Sequence, residues 1–327
     1  MLQKVLTRKR IVQLLPFLAA CIFLLIVIKD RHGDDYSRPY SLTVGAFNTE
    51  CDIIIWNEDA THCEQAARTV FRELTAIHNC LNRHDAGSEV SAFNAAAVGK
   101  PFACSRHFGA ILRKSLEMYA ATEGTFNVAV TPLIDLWKRA SDNGIPPSSA
   151  EIAEALDKCR LETLDAVFGH DGTIESVTKT IDGMALDFGG IAKGYALDVA
   201  KAILDEAGIR CYLLNFGGNI YCSATPPPGR DHFTIGLRSP DGSNSVSDTR
   251  PLLDCFISTS GNYERGTKTP HIIDTKTGRP CKTLKSVTAI TSTGCASDAF
   301  STAVFIGGEP LAKRLSAATQ GTSFIIE

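Results

Sequence analysis

"MALDFGGIAKGYALDVAKAILDEAGIRCYLLNFGGNIYCSA", residues 184 to 224, is the densest stretch of the chain. "ALDF" reads as a strand end and "GGIAKG" as a tight turn. "YALDVAKAILDEAG" has the spacing of an amphipathic helix that stops at Gly208, and "CYLLNFGGN" is a strand running into a second glycine turn. The flanks repeat this mixture. "CDIIIW" (51–56) is a short β-type run, and the segment 61–82 has helical spacing at Ala66, Val70, Leu74 and Ile77. "SEVSAFN" (88–94) reads as a turn and short helix, and the segment 106–122 as a helix ended by Gly124. Ser148 and Glu151 have capping-box spacing ahead of a further helix. "EGTFNVAVTPLIDLW" (123–137) places Asn127 in a β-like run, and the C-terminal third alternates turns with β runs such as "CFISTSG" and "SVTAITS". Strands and helices are interspersed without a βαβ rhythm. The expected class is α+β, mixed sheets with packed helices.

The chain has 327 residues, a net charge of -3 and 44% hydrophobic residues. That is ordinary globular composition, and with no basic footprint nucleic acid is excluded as the expected partner. Residues 1–40 read separately from the domain 41–327. Lys4, Arg8, Lys9 and Arg10 precede an uncharged run from Ile11 to Ile28, near the lower limit for a helix crossing a bilayer. The basic cluster stays cytoplasmic, so the domain is expected outside, tethered to the inner membrane and facing the periplasm or exterior. "LAAC" (18–21) resembles a lipoprotein cleavage box with Cys21 as lipid site, whereas the apolar run continuing past Cys21 reads as an uncleaved signal anchor. Eleven cysteines show no C-x-x-C pair and no zinc spacing.

Three glycine-turn or helix stretches carry polar groups. "DFGGIAKG" could hold a phosphate on backbone amides and Lys193, but it matches neither G-x-G-x-x-G nor a P-loop, and on the glycines alone a plain tight turn with a solvated lysine is the better reading. "HIIDTKTGRP" (271–280) gathers His271, Asp274 and Arg279, with Asp274 and Thr277 spaced as a turn clamp. In "STGCASDAFSTAVFIGG" (292–308), Asp298 and Thr302 lie a turn apart on one helical face. Alternatively, Asp298 is only a helix cap.

"LDFGGIAKGYALD", "LLNFGGNIY", "HIIDTKTGRP" and "ASDAFSTAVFIGG" resemble, in order, the signatures of the ApbE family, and "SEVSAFN" and "GTFNVAVTPLIDLW" match its upstream motifs. The resemblance runs from about Val44 to the C-terminus and implies an ApbE-like fold. It further implies a magnesium-dependent enzyme that moves FMN from FAD onto a threonine of an extracytoplasmic acceptor protein, releasing AMP. Asp298 and Thr302 would bind Mg²⁺ with a backbone carbonyl at Gly190. Asp187, Lys193, Ile272 and Phe47 would contact FAD, and Thr125, Phe126 and Asn127 would line its pocket. His271 would be the base on the incoming threonine. The chain departs from the family at Asn127, where many members have Asp; at His84, where an aromatic residue is common; and at Phe47-Asn48-Thr49, which replaces Met-Gly-Thr. Two other readings stay open: an FAD pyrophosphatase giving FMN and AMP, and a non-catalytic flavin-binding protein. Thr225, in "NIYCSAT", only loosely resembles an acceptor threonine and precedes a stiff triple proline, so it reads as a plain loop.

Overall fold

The structure is a computed structural model that describes residues 39–239, 241, 245–261, 272–281 and 284–327. The anchor and lipoprotein readings fall on residues outside that set, as does His271. Among the described residues no helix is long and apolar enough to cross a membrane.

A hairpin begins the fold. β1 (Tyr40–Ala46) and β2 (Thr49–Trp56) pair antiparallel with Ala46 opposite Thr49. Phe47 and Asn48 between them both have positive φ, 52° and 59°, as a two-residue turn matched to strand twist requires. Asn accepts that conformation readily; Phe47 is held in it by donating its N–H to His78 Nδ1 at 3.1 Å. The strands β3 (Pro101–Ala103), β4 (Asp165–Phe168) and β5 (Ile174–Thr178) form a small separate sheet in the order β3-β5-β4. β6 (Cys211–Phe216), β7 (Asn219–Cys222), β10 (Cys255–Gly261), β13 (Ser286–Thr291) and β14 (Ser323–Ile326) join the first hairpin in a seven-stranded sheet ordered β1-β2-β6-β7-β10-β13-β14. Every neighbouring pair in it is antiparallel. Among the described residues β8 (Phe233–Arg238) pairs only with β9 (Val246–Leu252), and β11 (Ile273–Asp274) with β12 (Arg279–Pro280).

The large sheet is covered on both faces, which is why β6 carries apolar residues on both of its sides. Cys51, Ile53 and Ile55 of β2 and Tyr212, Leu214 and Phe216 of β6 pack into the main core. Trp56 and Leu213 point the other way, against Phe233, Ile235 and Leu237 of the β8–β9 hairpin. The main core is closed by α1 (Ala60–Leu81), α2 (Glu89–Ala95), α3 (Arg106–Ala121), α6 (Ala192–Glu206) and α7 (Gly294–Ala318). In α1 the spaced residues Ala66, Val70, Leu74 and Ile77 are all buried. α4 (Thr131–Asn143) and α5 (Ser149–Asp157) form a satellite core with Ile273, and α5 starts with the expected Ser148–Glu151 capping box. The α+β reading therefore holds. Cys51, Cys159, Cys211, Cys222 and Cys295 are buried thiols without a disulfide, acting as small apolar residues.

Three local expectations differ from the structure. The run after Thr125 is not β-like: Val128–Val130 is a 3-10 turn leading into α4, started by the Asn127 side chain and by Pro132 in the first helical turn. "ALDF" joins no sheet among the described residues, because the Asn94 carboxamide takes the neighbouring strand's place. Asn94 Oδ1 accepts the Leu186 N–H at 2.7 Å and its Nδ2 donates to the Leu186 carbonyl at 2.9 Å. Asp298 does not cap its own helix; Thr293 does, accepting the Ala296 N–H.

Candidate active site

Every described candidate except Phe47 lines one cavity of about 220 Å³, at the meeting of α6, α7, β10 and the segment before α4. Phe47 instead walls an adjoining trough of about 660 Å³ that shares Lys193 and Thr259 with the cavity. Together they reach the size range of clefts that take organic ligands, about 300–1,000 Å³.

The floor is built by α7. Asp298 and Thr302 face the same side one turn apart, as their spacing requires, and Asp298 is only 5% exposed. Asp298 Oδ2 accepts the Gly194 N–H at 3.0 Å, while Oδ1 faces Lys193 Nζ at 3.8 Å, beyond hydrogen-bonding range. Thr302 Oγ1 lies 3.1 Å from Ser260 Oγ, and Gly190 packs against both Thr302 and the Phe126 ring. The second Ser260 partner is Ser301 at 2.8 Å, and Ser258 and Ser297 pair likewise at 2.8 Å. This hydroxyl ladder locks α7 onto β10. Its signal lay in the alternating serines of "FISTSG" set against serines four apart on α7.

The glycine turn works differently from a phosphate cradle. The Ile191 and Ala192 amides donate to the Phe188 carbonyl, Gly189 N–H donates to Asp187 Oδ1, and Gly194 N–H is taken by Asp298. Anion attraction there rests on the Lys193 ammonium and the start of α6 rather than on a row of open amides.

Arg83 was invisible to the motif reading although it adjoins His84. Its Nε sits 2.8 Å from Asp187 Oδ2 and its Nη1 3.3 Å from Asp135 Oδ1, with the side chain 15% exposed. Asp187 is thus an anchored acid, and Arg83 a cation in the cavity wall. His84 beside it is exposed on the rim.

Asn127 explains its own departure from Asp. Oδ1 accepts the Ala129 N–H at 2.8 Å, and Nδ2 donates to the Cys159 carbonyl at 2.8 Å, a bond a carboxylate could not make. The far wall is brought in by two cross-links. Thr275 Oγ1 donates to the Gly124 carbonyl at 3.0 Å and Trp137 Nε1 to the Gly278 carbonyl at 2.7 Å, which carries Ile272 and Ile273 to Thr125 and Phe126. Asp274 is spent on the clamp expected of it, accepting from Thr277 Oγ1 at 2.8 Å.

Among the described residues no group of three or more His, Cys, Asp or Glu could hold a metal ion. What the cavity offers instead is a buried carboxylate oxygen with one distant cation beside it, next to a threonine hydroxyl. That set is all oxygen and incomplete, which fits Mg²⁺, an ion that keeps waters and substrate oxygens in its shell.

The chain is similar to the FAD:protein FMN transferase of Treponema pallidum (strain Nichols), 29% identical over 291 residues, 83% of this chain and 79% of that protein. It is 32% identical to the FAD:protein FMN transferase of Rhodobacter capsulatus over 242 residues, 71% of this chain but 45% of that longer protein. Among solved structures, the ApbE protein of Thermotoga maritima matches with a TM-score of 0.75 at 26% identity, covering 88% of this chain and 94% of that chain. With the ApbE family model matching residues 47–326, the chain belongs to the ApbE family.

Proposed function

We propose that this protein transfers FMN from FAD to a threonine hydroxyl of a partner protein, releasing AMP, with Mg²⁺ held by Asp298, Thr302 and the Gly190 carbonyl. The observation that carries this reading is the pairing of the under-neutralised Asp298 oxygen with Lys193 at 3.8 Å in the wall of a polar cleft. A bound magnesium ion would neutralise charge on the FAD pyrophosphate and make its phosphorus a better electrophile. Lys193 adds a point charge for the same pyrophosphate. Phe126, Ile272 and Thr125 offer the apolar and hydroxyl surface for flavin, and Arg83 holds Asp187 in place. The threonine oxygen forms a bond to the FMN phosphorus as the bond to the bridging oxygen breaks, and AMP leaves with that oxygen. His271 accepts the threonine proton in this proposal. We also infer that residues 1–40 tether the domain to the inner membrane facing outward, where the acceptor would be, on the strength of Lys4, Arg8, Lys9 and Arg10 before the apolar run.

The test incubates the protein with FAD, Mg²⁺ and a candidate acceptor domain, then reads flavin fluorescence in a denaturing gel and AMP by chromatography. A fluorescent acceptor band with AMP supports the proposal. AMP and free FMN despite a competent acceptor identify a pyrophosphatase, FAD bound without AMP a flavin carrier, and a band at this protein's own mass self-modification; each overturns it.

A further inference from the structure

Two helix starts meet beneath the candidate cation ligands. α6 carries "GYALD" (194–198) and α7 carries "GCASD" (294–298), each with a glycine and an aspartate four residues apart. The glycines touch main chain to main chain. A Cβ on Gly194 would stand 2.1 Å from the Gly294 carbonyl oxygen, and one on Gly294 would stand 2.1 Å from the Gly194 carbonyl oxygen. Any side chain at either position forces the helices apart.

Across this contact the aspartates are exchanged. Asp198, on α6, accepts the Gly294 N–H at 2.6 Å and the Cys295 N–H at 2.9 Å, both at the start of α7. Asp298, on α7, accepts the Gly194 N–H at 3.0 Å in the first turn of α6. Each acid satisfies amides of the opposite helix, where the dipole favours a carboxylate. Their surroundings differ, however. Asp298 keeps Oδ1 for the cavity, whereas Asp198 spends both oxygens on α7 and lines none of the cavity.

We propose that Asp198 is a positioning residue for the cation site: by holding Gly294 and Cys295 it fixes the start of α7 on α6, and so fixes Asp298 with one oxygen on Gly194 and the other presented to the ion. This rests on the reading of Asp298 and Thr302 as cation ligands. Asp298 lies one turn beyond the amides that Asp198 holds, so slack in that first turn reaches it directly.

The test uses the full-length chain and Asp198→Asn. Asn keeps one acceptor oxygen but turns an NH₂ toward an amide N–H, removing one of the two bonds. Mg²⁺ is titrated calorimetrically into FAD-free protein, and FAD into metal-free protein. Magnesium affinity should fall roughly 10- to 100-fold, as it does when partners of metal ligands are removed, while metal-free FAD affinity stays at the wild-type value. Unchanged magnesium affinity overturns the proposal, and so does equal weakening of both ligands, which marks general loosening. A wild-type chain that binds no Mg²⁺ in the calorimeter overturns it together with the reading beneath it, whereas a wild-type chain that binds Mg²⁺ leaves that reading standing whatever the variant does. If Asp198→Asn does not fold, amide exchange in the unmutated chain decides. Gly194, Gly294 and Cys295 should be protected and slow further when Mg²⁺ is added; fast exchange at any of them, or no response to Mg²⁺, overturns the proposal.

Discussion

Asn127→Asp installs the residue many ApbE members carry, yet it should destabilise this chain. Oδ1 of Asn127 accepts the Ala129 N–H and its Nδ2 donates to the Cys159 carbonyl, each at 2.8 Å. A carboxylate keeps the first bond and turns the second into two oxygens facing each other. Losing a neutral hydrogen bond costs about 0.5–1.5 kcal/mol, and leaving the carbonyl unpaired against an anion raises that to about 1–3 kcal/mol. At about 2 kcal/mol the unfolded fraction rises roughly thirtyfold. Urea unfolding at neutral pH should therefore show a lower midpoint with an unchanged slope. Acid supplies the control: once the introduced carboxyl is protonated it can donate to Cys159 again, so the gap from wild type should narrow as pH falls. A midpoint at or above wild type at neutral pH refutes the reasoning, as does a gap that ignores pH.

Arg83→Ala strips Asp187 of its ion pair and removes a cation from the cavity wall. FAD affinity should fall roughly ten- to hundredfold, and Arg83→Lys should not restore it, because a single ammonium nitrogen lacks the planar fork whose separate nitrogens reach Asp187 and Asp135; wild-type FAD titrations from Arg83→Ala would remove Arg83 from the site. Thr302→Val keeps the shape but removes the hydroxyl near Ser260, so FMN transfer should need more Mg²⁺ and recover in part at saturation; an unchanged magnesium dependence counts against Thr302 as a ligand. Burial holds the His78 pKa below its ordinary 6.5, in keeping with a neutral ring that accepts the Phe47 N–H. The unfolded chain then binds the proton first, so this contribution is whole above pH 6.5 and is lost as pH falls below it toward the folded pKa. Urea midpoints should drop more steeply with acid in the wild type than in His78→Gln, and parallel slopes would refute this.

Local chemistry was legible wherever it depends on neighbours in the chain. The spacing of Ala66, Val70, Leu74 and Ile77 gave a helix, the Ser148–Glu151 spacing gave a capping box, and the interval between Asp298 and Thr302 put both on one helical face, because these follow from a 3.6-residue period and from bonds within one turn. The ordered motifs also pointed to the family and to which residues would line its cavity. What the tertiary structure alone decided were bonds between residues far apart in sequence. Asn94 standing in for a strand beside Leu186, Asn127 bonded to Cys159, and Arg83 reaching Asp187 leave no periodic trace, since each depends on where another segment lands. Asp298 is the clearest case. Its sequence context suits a cap, but the close approach of Gly194 to Gly294 gives its carboxylate the neighbouring helix's amide, and Thr293 is left to cap its own. A helix sequence specifies its faces; which group meets a face is fixed only by what packs against it.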